Sequence, residues 1–313
     1  MFSYYTLKNK DKNKMLALRV QALSKTYKNG FIALKKINLD IKKGQFLALL
    51  GKNGAGKTTF VEILSSLTKK TAGTVTIHGK NLDDDPAFIK ACTGMVPQEF
   101  NLAIFETVLQ ILITQAGYFG INTDSAYKTA KKLLISLDLW EKRNNAVVEL
   151  SGGMKRRLMI ARALMHNPSI IFLDEPTAGV DIQVRQKIWT IMKDLNKQGK
   201  TIILTTHYFE EAEKLCDSLA IIAKGKIIMH NSLKKIFDKC PKQKYIIELD
   251  PKHNLNVTAA NITSLSKRKL QVLIDKDYTL SSSLERILSQ GAKINSAQPQ
   301  NTRLEDLFLN ISH

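Results

Sequence analysis

The segment that most constrains this chain is a glycine-rich run that joins an apolar stretch to a helix-forming stretch. The apolar run Phe46–Leu50 predicts a buried strand, and Thr59–Leu64 predicts a helix. The residues from Gly51 to Thr58 fit the pattern G-x-x-x-x-G-K-[ST]. Because a chance glycine-rich turn would lack these flanks, the order of strand, loop and helix predicts an α/β fold with a phosphate-binding loop.

This loop has the chemistry that a nucleoside triphosphate needs. Backbone N–H groups of a glycine-rich loop surround phosphate oxygens, and the N-terminus of the following helix adds positive potential. Lys57 is expected to reach the β- and γ-phosphates, and Thr58 to bind Mg²⁺ through its hydroxyl. The residues expected to contact the nucleotide here are Gly51, Asn53, Gly54, Ala55, Gly56, Lys57, Thr58 and Thr59.

A second short apolar run, Ile170–Leu173, ends in the acidic pair Asp174 and Glu175. Such a run is typical of a central parallel strand, and open α/β sheets bind ligands at the carboxyl ends of their strands. We expect Asp174 to hold the Mg²⁺ shell and Glu175 to polarise the attacking water. The alternative is a solvated acidic pair, which the phosphate-binding loop elsewhere in the chain disfavours.

Composition limits the partners and the compartment without deciding the function. The chain has 313 residues, a net charge of +19 and a pI near 9.7, and its lysines are spread along the whole sequence. This charge suits nucleotides, nucleic acid or an anionic membrane, and it equally suits a solvated basic surface. Three scattered cysteines, Cys92, Cys216 and Cys240, favour a reducing compartment. Because no apolar run approaches ~18 residues and the N-terminus is polar, we expect a cytoplasmic protein without its own membrane spans.

The order of patterns along the chain predicts three parts. They are a flexible basic tail over 1–15, a nucleotide-binding domain over 16–240 and a small α+β accessory domain over 241–313. Within the second part, β-like runs at Leu16–Ile41, Gln45–Leu50 and Thr74–Ile77 predict an antiparallel β subdomain. Helix formers between Asn101 and Val148 predict a helical subdomain.

The accessory domain carries no catalytic constellation. Its predicted strands are Lys244–Leu249 and Leu270–Ile274. Apolar residues mark two helix faces, namely Leu284, Ile287 and Leu288 before Gly291, and Leu304, Leu307, Phe308 and Ile311 after a Thr302 cap. We expect this domain to stabilise the protein or to support a dimer.

From about Leu16 to Met229 the sequence resembles the ATP-binding subunits of ABC transporters, whose motifs it carries in order. The matching positions are the aromatic Tyr27, the Q-loop Gln98, the signature Leu150–Met154, the D-loop Ala178–Asp181 and the switch histidine His207. Met154 stands where glutamine is commoner, and Val180 stands where leucine is commoner. The runs LSGGMKRR and DEPTAGVD are most similar to those of type-2 exporter ATPases.

The resemblance implies a homodimer that binds ATP and Mg²⁺ at shared sites. One subunit would supply Lys57, Thr58, Gln98, Asp174, Glu175 and His207, and the other would supply Ser151, Gly152 and Gly153. Tyr27 would stack on adenine, and Asp181 would belong to the nucleotide-binding set. The catalytic residues would be Glu175, His207 and Gln98, and the metal ligands would be Thr58, Gln98 and Asp174.

Each position taken from this resemblance also has a structural alternative. Tyr27 could be an ordinary strand aromatic, and Gln98 could simply end a loop. Ser151 could be only the N-cap of a helix over Met154–Met165, and His207 could be a satisfied surface or core histidine. Their joint order and spacing favour the functional interpretation.

We therefore expect an ATPase that powers an ABC exporter through a separate permease, peripheral on the cytoplasmic face of the inner membrane and without direct nucleic-acid contact. The apolar segment Phe100–Phe105 would receive a permease helix. The rival is a soluble ABC ATPase acting on nucleic acid or the ribosome, which the basic charge favours. Repair types insert a long coiled coil, but Thr59–Glu149 has no sustained heptads. Translation types usually carry two cassettes, and this chain has one.

Two further alternatives are a small-molecule kinase and an importer subunit. A small-molecule kinase would explain Lys57 but not the signature Leu150–Met154. An importer subunit stays open within transport. The sequence does not specify the transported substrate, because the permease of such a system carries the pathway.

Overall fold

The structure is a computed structural model that describes residues 16–239, 243–250, 259–266, 268–274, 277–300, 304–305 and 307. The tail predicted for 1–15 lies outside these residues, as do Cys240, Thr302, Phe308 and Ile311. The chain separates into two compact units that are divided between Asn231 and Ser232. This division precedes the boundary predicted at 240/241, and the assignment of the three domains stays a prediction.

The first sheet of the first unit is antiparallel and has four strands in the order β2-β1-β4-β5. Its strands are β1 (Leu16–Thr26), β2 (Ile32–Lys42), β4 (Ala72–Ile77) and β5 (Lys80–Asn81). Leu18 pairs with Ile41 on one side and with Ile77 on the other, and all three side chains are fully buried. Such cross-strand apolar pairs hold one face of a sheet against a core. The predicted antiparallel β subdomain is confirmed for the runs at Leu16–Ile41 and Thr74–Ile77. Its third predicted run, Gln45–Leu50, was wrongly included, because Phe46–Leu50 pairs in parallel with two strands of the second sheet.

The second sheet contains six strands in the order β10-β9-β3-β8-β7-β6. Its strands are β3 (Phe46–Leu50), β6 (Thr93–Val96), β7 (Ile170–Asp174), β8 (Thr201–Thr206), β9 (Ser218–Ala223) and β10 (Lys226–Ser232). The pairings from β9 through β3, β8 and β7 to β6 are all parallel. Every residue of β3, β7 and β8 is buried, which explains their near-continuous apolar sequences. The carboxyl ends of these parallel strands therefore lie along one edge of the sheet.

Seven helices of the first unit lie among its described residues. They are α1 (Lys57–Leu64), α2 (Pro86–Cys92), α3 (Val108–Gly117), α4 (Thr123–Ser136), α5 (Gly152–Leu164), α6 (Ile182–Lys197) and α7 (Phe209–Leu215). Helices α3 and α4 lie within the predicted helical subdomain, and α5, which begins after its predicted end, packs on both of them. In α4 the buried residues Ala126, Ala130 and Leu134 recur every four residues, as expected for one apolar face. In the part of the chain that the structure describes, no helix is both long and apolar enough to cross a membrane.

One apolar core joins the two sheets of the first unit to α1. It contains Leu18 and Leu39 of the antiparallel sheet, Phe172 of β7, and Phe60 and Ile63 of α1. Each large apolar side chain that is fully buried contributes about 1.5–3 kcal/mol of transfer free energy. Helix α1 is therefore held firmly behind the glycine-rich loop that precedes it.

The second unit is an antiparallel sheet with a helix packed on one face. Its elements are α8 (Leu233–Lys239), β11 (Gln243–Leu249), β12 (Ile262–Ser266), β13 (Lys269–Ile274), α9 (Leu280–Ser289) and β14 (Ile294–Pro299). The strand order is β12-β13-β11-β14, and Ile247, Leu270, Val272 and Ile287 form the core. Helix α9 ends before Gly291 as predicted, but Leu288 is exposed because the buried face of α9 runs through Ser283 and Ile287.

Candidate functional site

The glycine-rich loop leaves β3 at Gly51 and enters α1 at Lys57. A Cβ atom at position 51 would lie 2.5 Å from the Ile222 carbonyl oxygen, so this position has no room for a side chain. Gly56 has a φ of 108°, a left-handed conformation that favours glycine. The buried Lys57 Nζ donates hydrogen bonds to the carbonyl oxygens of Gly51 at 2.9 Å and Lys52 at 3.4 Å. The loop thus combines the tight backbone path and the buried lysine of a phosphate-binding loop.

Glu175 directly follows β7 and contacts two other motifs at once. Its Oε1 lies 3.5 Å from Lys57 Nζ, and its Oε2 lies 3.2 Å from His207 Nδ1. The Glu175 side chain is 10% exposed, whereas the His207 side chain is 40% exposed. The pairing of β7 with β8 sets Asp174 opposite Thr205, which brings His207 to the same edge as Glu175. One carboxylate therefore joins the lysine of the loop to the histidine after β8.

The backbone of Glu175 is unusual for a residue with a side chain. Its φ is 47°, in the left-handed region that costs a non-glycine residue about 1–2 kcal/mol. The Glu175 N–H donates to the Thr205 carbonyl oxygen at 3.1 Å and to the Thr205 hydroxyl oxygen at 3.2 Å. Strained conformations of this kind cluster at functional sites, where the surrounding structure holds them. The neighbouring strand thus fixes the direction of the Glu175 side chain.

Asp174 has one carboxylate oxygen that the protein leaves without a partner. Its Oδ1 accepts a hydrogen bond from the Thr205 hydroxyl. Its Oδ2 is buried and has no hydrogen-bond partner among the described residues. A buried carboxylate oxygen needs compensation, and Mg²⁺ binds through one or two carboxylates together with phosphate oxygens. Asp174 therefore fits a ligand of a nucleotide-bound Mg²⁺.

The other predicted metal ligands lie on exposed elements at the same edge. Thr58 is exposed in the first turn of α1, and Gln98 is exposed just after β6. No group of three or more His, Cys, Asp and Glu side chains that could hold a metal ion occurs within the described ranges. The metal would therefore depend on Asp174, these two polar side chains and the phosphates of the nucleotide.

Tyr27 directly follows β1 and lies beside the first turn of α1. Its hydroxyl is 3.1 Å from Thr59 Oγ1, and Lys25 Nζ is 4.8 Å from the centre of its ring. The ring of Phe31 stacks near it with a centroid distance of 6.4 Å, and Phe31 is 56% exposed. The sequence analysis missed Phe31, because a single aromatic after a turn gives no signal of its own. Together the two rings form an aromatic surface next to the loop.

The backbone around Gln98 is held by an arginine that the sequence analysis did not single out. Arg156 of α5 donates from Nη1 to the Pro97 carbonyl oxygen at 2.9 Å and from Nη2 to the Gln98 carbonyl oxygen at 2.8 Å. Its guanidinium carbon lies 4.8 Å from the centre of the Phe100 ring. Burial lowers the pKa of Arg156, and the nearby Asp174 carboxylate opposes this shift. Since arginines on helices are usually solvated, nothing in the sequence marked this one.

The next residue of α5 contacts a different part of the helical subdomain. Arg157 Nη1 donates to the Leu137 carbonyl oxygen at 2.6 Å and lies 3.7 Å from an Asp138 carboxylate oxygen. That carboxylate also pairs with Lys187 Nζ of α6 at 2.7 Å. Helix α5 is therefore attached both to the loop after β6 and to the end of α4.

The signature residues from Ser151 to Met154 form the N-cap and the first turn of α5. Ser151 is the N-cap of α5 and accepts a hydrogen bond from the Met154 N–H at 3.3 Å. Ser151 and Gly152 are exposed, and a Cβ at Gly153 would lie 3.1 Å from the Val184 side chain. Asp181 caps α6 and accepts from the Val184 N–H at 2.9 Å. The signature and the D-loop thus lie next to each other as two capped helix N-termini.

The structure brings the predicted residues together in two groups. Lys57, Asp174, Glu175 and His207 share the strand-end edge, with Tyr27 and Thr59 on the flank of α1. A separate group at the starts of α5 and α6 consists of the exposed Ser151, Gly152 and Asp181 and the half-buried Gly153. The predicted cap at Ser151 is confirmed, and α5 begins two residues before the predicted start at Met154.

Comparison with known proteins gives the family of this chain. A family model described as "ABC transporter" matches residues 34–178. A Nod factor export ATP-binding protein I from Cupriavidus metallidurans is 33% identical over 299 residues, which cover 94% of this chain and 97% of that protein. A linearmycin resistance ATP-binding protein from Bacillus subtilis is 32% identical over 308 residues, covering 94% and 98%. A Nod factor export ATP-binding protein I from Burkholderia lata is 41% identical over 197 residues, covering 63% of this chain and 65% of that protein.

Solved structures agree with this assignment. A dimeric ATP-binding cassette in a post-hydrolysis state with ADP and Pi is 33% identical, with a TM-score of 0.64 and coverage of 69% of this chain and 98% of that one. An ATP-binding subunit of an ABC transporter is 27% identical, with a TM-score of 0.66 and coverage of 71% and 92%. Fold and site thus define an ABC-type ATPase. The chain belongs to the ABC transporter family, which confirms the resemblance seen in its sequence.

Proposed function

We infer that this chain is the ATP-binding and hydrolysing subunit of an ABC exporter, and that a separate membrane permease carries the exported substrate. The observation that carries the proposal is the single carboxylate of Glu175 in contact with both Lys57 and His207. The relatives named for Nod factor export and for linearmycin resistance support the direction of transport. They do not favour a role on nucleic acid.

Hydrolysis by this site would need positioning and charge neutralisation more than covalent chemistry. Lys57 would neutralise the β- and γ-phosphates, and Glu175 would orient the attacking water and accept its proton. His207, which contacts the same carboxylate, would hold the γ-phosphate and the water in line. Asp174, Thr58 and Gln98 would hold Mg²⁺, whose charge offsets that of the phosphates.

The working form would be a homodimer with ATP between the subunits. Ser151 and Gly152 are exposed and Gly153 is half-buried at a helix N-terminus, and such an N-terminus is suited to bind phosphate. The exposure of Ser151 and Gly152 supports a role toward the nucleotide of the other subunit. A similar cassette forms a dimer in a solved structure, which supports the same arrangement here.

The permease would dock on the segment 100–105, which we name the docking segment. Phe100 and Ile104 are each 47% exposed, and Phe105 is 84% exposed. Exposed large apolar side chains clustered in one segment are typical of a protein interface. Docking there would hold the subunit peripherally on the cytoplasmic face of the inner membrane. The docked permease would also lie next to the loop after β6, whose Pro97 and Gln98 carbonyl oxygens accept hydrogen bonds from Arg156.

The test is co-expression with any hydrophobic membrane protein found to be encoded beside this chain, followed by co-sedimentation with membranes. Phe105→Glu should abolish co-sedimentation, because a charge would replace the most exposed apolar side chain of the docking segment. Tyr118→Glu is the matched control, since Tyr118 is 81% exposed but follows α3 outside that segment. Equal co-sedimentation of the two variants would refute docking there. A wild-type chain that does not hydrolyse ATP would refute the enzymatic part.

A further inference from the structure

Glu211, in the first turn of α7, carries a buried carboxylate that none of the roles above uses. The residue is 1% exposed. Its Oε1 accepts from the Thr177 hydroxyl and from Trp189 Nε1, the latter at 3.1 Å, and its Oε2 accepts from the Thr206 hydroxyl at 2.6 Å. Three side-chain donors from three separate segments therefore meet at one carboxylate.

Each of these donors is connected to a residue of the candidate site. Thr177 lies two residues after Glu175, and Thr206 immediately precedes His207. Trp189 lies on α6, which begins after the cap Asp181. Glu211 is thus bonded to the chain segments on both sides of the contact between Glu175 and His207 and to the helix that follows the D-loop.

The chemistry of this cluster makes it sensitive to the charge on Glu211. Hydrogen bonds to a carboxylate are roughly twice as strong as neutral ones, and a charge buried this deeply needs its partners. The indole N–H of Trp189 can only donate. The Thr206 hydroxyl accepts from the Tyr208 N–H at 3.0 Å and donates its one proton to Glu211. An ionised carboxylate is the side chain that accepts from all three at once.

We propose that Glu211 is a positioning residue for ATP hydrolysis. It fixes the segment after Glu175 against the strand end before His207, and so keeps the two side chains at contact distance. It acts through Thr177, Thr206 and Trp189, and not on the nucleotide. This inference rests on the proposed ATPase function.

The decisive variant is Glu211→Gln, which keeps the shape of the side chain but removes the charge. Its amide nitrogen can only donate, so it must face at least one of the three donors. Glu175 and His207 would then shift, and kcat should fall on the order of 100-fold. The dissociation constant of ATP should stay unchanged, because Lys57 is held by its own loop.

The matched control is Glu210→Gln, the same change at the adjacent position. Glu210 is exposed, and its side chain pairs with Lys214 Nζ on the same helix at 2.6 Å. Both variants are compared by kcat per ATP-binding chain, at a temperature well below their unfolding midpoints. If Glu211 had a merely structural role, Glu211→Gln would lower the number of chains that bind ATP but leave kcat per ATP-binding chain unchanged. An unchanged kcat per ATP-binding chain would therefore overturn the proposal.

Two further measurements complete the test. In a Glu175→Gln background, adding Glu211→Gln should lower kcat by much less than 100-fold, because the part of its effect that passes through Glu175 is already lost and only the part through His207 remains. An additional 100-fold fall would overturn the proposal. If Glu211→Gln does not fold, Thr177→Val removes one donor and should still lower kcat at unchanged ATP affinity, and wild-type kcat in that variant would overturn it. An inactive wild type would refute the proposed function itself, whereas an active wild type with unaffected variants refutes only this inference.

Discussion

The strand-end half of the site and the signature half are built in opposite ways. The strand-end half, Lys57, Asp174, Glu175 and His207, is attached to buried parallel strands and joined by side-chain contacts. The signature half, Ser151, Gly152 and Gly153, lies at the start of α5, where the first two residues are exposed and Gly153 is half-buried. The Ser151 hydroxyl bonds only within its own helix in the described structure.

This difference indicates which half of the candidate site a single subunit can form by itself. The strand-end half already pairs Lys57 and the Glu175 carboxylate with groups of the same chain. The signature half offers a helix N-terminus and small residues to something outside, which is the arrangement of an incomplete phosphate site. Damage to the first half should therefore stop hydrolysis at the site of the same subunit, and damage to the second half should stop it at the site of the partner subunit.

The largest expected effect is in the strand-end half. Glu175→Gln keeps the shape of the side chain but removes the proton acceptor, so turnover should fall by about 10²–10⁴-fold while ATP stays bound. Phosphate release measures the rate, and light scattering or native mass spectrometry should detect an ATP-dependent dimer that persists. Near-wild-type hydrolysis would remove Glu175 from this role.

The second prediction separates the two functions of Ser151. Aspartate is as good an N-cap as serine, so Ser151→Asp should leave the free energy of unfolding within about 0.5 kcal/mol of the wild type. Its negative charge would face the phosphates, and the ATPase rate should fall on the order of 100-fold. The control is Thr279→Asp at the N-cap of α9, which should change neither quantity. An active Ser151→Asp variant would mean that Ser151 is only a cap.

The third prediction tests whether the two halves come from different subunits. Lys57→Ala and Ser151→Arg homodimers should each be nearly inactive, because both of their sites are damaged. A mixed dimer has one site with both lesions and one with neither, so mixing should restore part of the activity if the sites act independently. If hydrolysis needs both sites, the expected result is one occluded ATP per mixed dimer. Full activity in a demonstrated monomer would contradict the shared arrangement.

The smallest effect is expected at the edge of the strand-end half. Stacking of a base on an aromatic ring contributes about 1–3 kcal/mol, so Tyr27→Ala should raise the KM for ATP roughly 10-fold. Tyr27→Phe removes only the contact with Thr59 Oγ1 and should leave KM nearly unchanged. Phe31→Ala tests the second ring. A KM for ATP equal to that of the wild type in all three variants would show that adenine is bound elsewhere.

The strand-end half was predictable because each of its motifs follows directly after an apolar run that forms a parallel strand. Phe46–Leu50 and Ile170–Leu173 are apolar runs whose ends carry the loop and the acidic pair, and a parallel sheet brings such ends to one edge. Arg156 and Glu211 could not be found in this way, because a charged side chain on a helix is ordinarily exposed and only tertiary packing buries it. Strands β12 and β14 were missed because their sequences are largely polar.

The two arginines of α5 have a consequence for how the signature can move. Consecutive residues of an α-helix point about 100° apart, so Arg156 and Arg157 attach α5 on two different sides. Arg156 binds the carbonyl groups after β6, and Arg157 binds the end of α4. With both attachments intact, the helix has few independent degrees of freedom. Under the proposed docking, a force applied at Phe100 would reach α5 through Arg156 and would move Ser151 at the start of that helix. The position of the signature would then be coupled to the way the permease docks.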